Sequence, residues 1–356
     1  MSRRVRGWVG VGAMALGVAG VIAPVTGGQP QAAQGAARGR WSPPKTAWGH
    51  PDLQGVWNNA TPVPLERPNG LEKAELDDEE AASLERTAMA RRDAPPPAGD
   101  PGTYNAFWSD TGRGGATKRT ALIIDPPDGR IPPLTPQAQK READRAAIRY
   151  QRGPADSYVD RNRWERCLAR GLPMAPGPYN NSYRFLQTPA YAVIYMEMIH
   201  DTRIIPLDGR PHGTVRTWLG DSRGHWEGDT LVVETVNFVN RLDGTGEILP
   251  SHRGAMFQHR GSGETLTITE RFTRVAADTL NYEFTLADPQ TYTRPWTALV
   301  PMALNTDPFD QPYEYACHEG NQGLPNIMKG ARAEDAAGRP GLGEGSWTAG
   351  RRDAGR

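Results

Sequence analysis

Residues 191–239, YAVIYMEMIHDTRIIPLDGRPHGTVRTWLGDSRGHWEGDTLVVETVNFV, constrain the fold more than any other stretch of the chain. Three runs rich in β-branched and aromatic residues, 192–200, 203–207 and 230–238, are separated by turn chemistry at Asp201-Thr202, Asp208-Gly209 and Glu227-Gly228-Asp229. Connections this short leave no room for the crossover helix that parallel strands need, so the stretch predicts an antiparallel meander. The expected fold class is therefore mainly β, with a few peripheral helices.

Side chains alternate across a strand, so every second residue shares a face. In the third run Val232, Glu234, Val236 and Phe238 fall together, opposite Leu231, Val233, Thr235 and Asn237. The first run sets Ile194, Met196, Met198 and His200 against Val193, Tyr195, Glu197 and Ile199. Further on, a hairpin about 276–278 pairs the row Leu266, Ile268, Glu270, Phe272 with the row Leu280, Tyr282, Phe284, Leu286. Glu234 and Glu270 each stand in an apolar row. Burying an unpaired charge is costly, which leaves two readings: internal salt bridges, with Arg203 or Arg271 as partners, or a functional site.

Residues 1–33 read as a signal peptide, with a basic start at Arg3, Arg4 and Arg6, an apolar Gly- and Ala-rich stretch and small residues at the cleavage site. Export to the periplasm or outside the cell follows, by a route the signal leaves open. Residues 34–50 form a Pro/Gly/Ala linker, and 51–331 a single β-rich domain with helices near 72–92 and 135–150. Thr135 caps the second helix, with Pro136 at its first position. Residues 94–102 and 240–263 read as loops, and 332–356 as a disordered tail. No later stretch is long and apolar enough to span a membrane, so no integral membrane segment is expected after signal cleavage. The chain carries 41 basic and 41 acidic side chains, a balance that argues against nucleic acid and against an anionic membrane surface. Its two cysteines, Cys167 and Cys317, in an exported chain predict one disulfide.

PDLQGVW carries a G-x-W beside an apolar residue and resembles the opening strand of lipocalin-like barrels. Together with TALIIDPPDGRIPPLTP, EMIHDTRIIPLDGRPH, GDSRGHWEGDTLVVETVNF, ERFTRVAADTLNYEFTLADP and YEYACHEGN, it resembles a large uncharacterised exported family of environmental bacteria. The resemblance covers roughly residues 51–331. It implies export and a lipocalin-like β-barrel, and it brings no activity with it.

No serine-hydrolase elbow, phosphate loop or dinucleotide fingerprint is present, and no cofactor is expected. Seven histidines lack metal-motif spacing, so a zinc site built from His200, His212 and His318 is not the preferred reading and no metal is expected. His212 and His225 read as exposed loop residues. If Glu234 and Glu270 project into one cavity, repulsion and desolvation raise one of their pKa values. With His200, Tyr282 and His318 they form the expected catalytic set for general acid–base work: a lyase, hydratase, isomerase or glycoside-type cleavage of a small molecule. Trp218, Trp226 and Trp296, with Arg203 and Glu319, form the expected ligand-binding set, stacking on an apolar, aromatic or sugar ligand, with ordinary core as the alternative for the tryptophans. The competing classes are a non-catalytic periplasmic binding protein for a hydrophobic ligand and, if side chains fill the barrel, an envelope interaction module.

Overall fold

The computed structural model describes residues 41–94, 110, 113–151, 155–161, 163–177, 179–239, 264–309 and 311–338. The expected signal peptide, the linker up to residue 40, the loops at 95–102 and 240–263 and the tail beyond 338 lie outside the described residues.

Ten strands form one antiparallel sheet: β1 (Gly55–Asn58), β2 (Ile123–Asp125), β3 (Ser182–Gln187), β4 (Tyr191–Met196), β5 (Thr202–Pro206), β6 (Asp221–Glu227), β7 (Thr230–Val236), β8 (Thr267–Arg274), β9 (Thr279–Ala287) and β10 (Trp296–Asn305). The order across the sheet is β5-β4-β3-β1-β10-β9-β8-β7-β6, with β2 also pairing β10. The β8–β9 hairpin and the pairing of the first two runs, β4 with β5, thus form as expected. The third run, β7, pairs instead with β6 and β8 at the other side of the sheet, so the three runs do not make one meander. The sheet does not close into a barrel: its hydrogen-bonded ladder ends at β5 and at β6. These edges meet through side chains. A Cβ added to Gly224 of β6 would lie 2.8 Å from Leu207 Cδ2 and 3.0 Å from Ile205 Cγ2, so a larger residue would have to displace these side chains.

Two strands were absent from the sequence reading. β3 (SYRFLQ) follows a Pro/Gly/Asn loop, and β6 (DSRGHWE) is polar outside and holds only Ser222, Gly224 and Trp226 at inward positions. The first expected run also ends early. Glu197 begins a 3-10 turn in which Ile199 and His200 take φ of 62° and 48°, and this turn, rather than Asp201-Thr202, reverses the chain.

The inner face is a packed core. Phe185, Phe272, Tyr282, Phe284, Trp296 and Tyr292 form a continuous series of ring contacts, with centroids 5.0–6.1 Å apart in stacked, tilted and edge-on arrangements. Trp57 of the G-x-W motif is fully buried, and its Nε1–H donates to the Leu53 carbonyl at 2.8 Å.

Among the described residues three helices are peripheral. Helix α1 (Asp78–Asp93) begins later than residue 72 because Asp77 and Glu80 form a capping box there. Helix α2 (Pro136–Gln151) starts as expected, with the Ala138 N–H donating to Thr135 Oγ1 at 3.2 Å. Helix α3 (Gly323–Ala336) corrects the expected tail, since it runs past residue 332. Arg332 holds it by donating to the Ala155 and Asp156 carbonyls, both at 3.2 Å.

Candidate functional site

The strand registers bring the starts of β3, β5, β6, β8 and β10 and the ends of β1, β4, β7 and β9 to the same end of the sheet. Polar chemistry gathers at this end. All five non-glycine residues with positive φ among the described residues belong to segments docked here: Cys167, Asn180, Ile199, His200 and Asn237. For the β-branched Ile199 this conformation is strained, and strain of this kind is characteristic of functional regions.

Glu270 and Glu234 do not share a cavity. The register pairs Val233 with Glu270 and Glu234 with Thr269, so the two acids lie on opposite faces of the sheet. The core face of β7 is Leu231, Val233 and Thr235, not the row that contains Glu234. Val232 is buried as well, which is why hydrophobicity alone pointed to the wrong face.

Glu270 is fully buried, and Arg203, one of the two partners considered for the acids, pairs with it. Nη1 of Arg203 donates to Oε1 at 3.0 Å, and Nη2 reaches Oε2, Ser222 Oγ and Thr235 Oγ1. Tyr282 donates to Glu270 Oε1 at 2.8 Å and accepts the Met174 N–H at 3.0 Å. Burial and then the neighbouring carboxylate push the Tyr282 hydroxyl well above its ordinary pKa. This is a polar knot inside an aromatic core. It joins β5 to β6, β7 and β8 across the gap in the ladder.

The outward acid has a different setting. Glu234 has a side chain 53% exposed, and its Oε1 lies 3.1 Å from His212 Nε2. The other ring nitrogen, Nδ1, lies 3.3 Å from Asp221 Oδ2. His212 therefore bridges two carboxylates and is half-buried rather than an exposed loop residue. Burial alone would raise the Asp221 carboxyl. The Gly213 N–H, Arg223 and His212 outweigh it and hold the group below the usual range. Arg223 Nε and Asn237 Nδ2 donate to the Pro211 and Gly213 carbonyls at 3.1 and 2.7 Å, fixing the loop that carries His212. A neutral imidazole has one N–H and satisfies one of these carboxylates, whereas the imidazolium donates to both.

The remaining expected residues are dispersed. His200, His318 and Glu319 are exposed. Trp296 is core, meeting Phe284 and Tyr292 edge-on, and Arg203 is structural, which removes both from a ligand wall. Trp226 packs against His50 at 5.1 Å, and Trp218 is half-buried. Cys167 and Cys317 form the expected disulfide. It ties the 163–177 segment to the YEYACHEGN loop.

The same end holds two half-buried acids and one buried acid that sequence reasoning missed. Glu197 Oε2 accepts the Ser182 N–H at 3.2 Å, and Asp201 Oδ2 accepts the Arg170 N–H at 2.7 Å. Burial raises both carboxyls, against these hydrogen bonds, and pushes the Tyr183 hydroxyl up to about 12. Asp110 Oδ2 takes both the backbone and side-chain N–H groups of Asn181. The signal for Asp221 was present: Gly228-Asp229 is a two-residue hairpin loop, and its register sets Arg223 opposite Glu234, with Asp221 on the same face. His212 carried no such signal, because a loop places it.

Among the described residues no group of three or more His, Cys, Asp or Glu side chains is arranged to hold a metal ion, and no helix is long and apolar enough to cross a membrane. Comparison of the chain with family models, with curated proteins and with solved structures gives no match.

Proposed function

We propose that the chain is an exported enzyme acting on a small molecule by general acid–base chemistry, with His212 as its proton-handling group. The observation that carries this reading is the His212 bridge, 3.3 Å to Asp221 and 3.1 Å to Glu234. Asp221, ionised and anchored by Gly213 and Arg223, accepts from Nδ1 and sets the ring orientation. The contact between Nε2 and Glu234 holds one proton, and Glu234 faces solvent, where a ligand reaches it. That proton is the one the site delivers or removes, as a lyase, hydratase, isomerase or glycosidase requires. Export belongs to the same proposal. The Cys167–Cys317 bridge supports an oxidising compartment.

The test is incubation of a panel of carbonyl, hydroxy-acid and glycosidic compounds in heavy water, read by mass spectrometry for deuterium uptake, hydration or cleavage. Turnover by the wild type that drops about 100-fold or more in His212→Gln, with an unchanged melting temperature, supports the enzyme. Turnover undiminished in that variant overturns it. The second reading is an interaction module of the cell envelope, favoured by the side chains that fill the inner face. It expects neither saturable binding nor chemical change with any compound of the panel.

A further inference from the structure

We propose that Arg170 and Trp164 form a binding site for a small oxyanion, a carboxylate or a phosphate, distinct from the His212 bridge and independent of the proposed enzymatic role. The Arg170 guanidinium lies over the Trp164 ring, 4.0 Å from its centroid. The Trp164 Nε1–H donates to the Arg170 carbonyl at 3.1 Å, which locks the two residues together. Gly177 admits the guanidinium: a Cβ there would lie 2.9 Å from Nη2.

Arg170 differs from Arg161, Arg203 and Arg223, which are matched to Glu165, Glu270 and Asp221, and from Arg67, Arg184 and Arg274, whose guanidinium groups donate to other protein oxygens. Among the described residues the Arg170 guanidinium has no ion pair and no hydrogen bond. Asp201, the carboxylate nearest in function, is engaged by the backbone N–H groups of Arg170 and Gly171 instead. Burial disfavours the Arg170 cation, and Arg163 adds a second positive charge nearby, while Tyr179, Tyr183 and Tyr315 lie within its electrostatic reach. An incompletely solvated cation held against a ring, with its planar fork of N–H donors unused, is matched by an anion that accepts two parallel bonds. The disulfide brings the Tyr315 loop to this place and holds it there.

The experiment uses the exported chain with its disulfide intact. Calorimetric titration with inorganic phosphate, and separately with benzoate, at constant ionic strength is expected to show saturable binding of at least one. Arg170→Met should weaken it about tenfold or more, and Arg170→Lys should fall between, because an ammonium supplies a charge without the fork. A second measurement needs no variant. Phenylglyoxal should label Arg170 in chloride buffer, mapped by peptide mass, and the bound anion should protect it. Protection by phosphate alone or by benzoate alone separates the two sources. Labelling that is absent throughout or unchanged by both anions, or equal binding in Arg170→Met, overturns the proposal.

Discussion

At the scale of single residues, two glutamates of similar sequence setting have opposite fates. Glu270 is fully buried against Arg203, and Glu234 stands outward against His212. Glu270→Gln keeps the volume but leaves the Arg203 charge buried without a counter-ion, so it should destabilise the fold by about 3–5 kcal/mol in urea denaturation. Replacing both partners, Arg203→Met with Glu270→Leu, should recover part of that loss, the remainder being the buried Tyr282 hydroxyl left without its acceptor. Glu234→Gln should stay within about 0.5 kcal/mol of wild type, as expected for an exposed site. A near-neutral Glu270→Gln would mean that the buried pair contributes nothing. Arg203 was legible as a possible partner because a buried acid needs a base. The face of Glu234 was not, because Val232 beside it is also buried.

Among the elements, those with local chemistry were readable from sequence. The β8–β9 hairpin shows alternating rows about a turn, and α2 shows a Thr-Pro start that the structure uses as a cap. Helix α3 was not readable as a helix, because its second half, KGARAEDA, reads like the Gly- and Ala-rich tail that follows it and Arg332 contacts made far along the chain hold it. Strand β6 was hidden for a related reason. Its inward positions are Ser222, Gly224 and Trp226, chosen by what lies across the gap rather than by apolar patterning. Gly224 faces Ile205 and Leu207, so Gly224→Val should overpack this contact and cost about 1–3 kcal/mol by thermal or chemical denaturation. Leu207→Ala, added to Gly224→Val, should relieve part of that cost. Strict additivity of the two losses would show that the edges of the sheet do not press on each other.

For the molecule as a whole, one covalent link and a few half-buried acids set the response to conditions. The Cys167–Cys317 bridge closes a loop of 150 residues, for which the chain-entropy model gives about 5 kcal/mol. Reduction, or Cys167→Ser with Cys317→Ser, should lower the denaturation midpoint accordingly, and an unchanged midpoint would refute this contribution. The dependence on pH follows from opposing shifts. Asp221 lies below its ordinary 3.8, so its contribution is complete above that value and is lost as pH falls through its folded pKa. Asp201 and Glu197 lie above their ordinary 3.8 and 4.5 because burial disfavours their charge. Between those values and their folded pKa values the native chain holds protons that the unfolded chain has released. Stability therefore falls as pH rises through that window, and levels off once both groups ionise in the native state. The contribution of these two groups is therefore largest below their ordinary pKa values and declines to a plateau above them. Glu197→Gln keeps an oxygen acceptor for the Ser182 N–H and removes one of the two titrations, so urea midpoints measured from about pH 4 to pH 7 should decline less steeply than in wild type. A variant that declines as steeply as wild type would assign the fall to other groups.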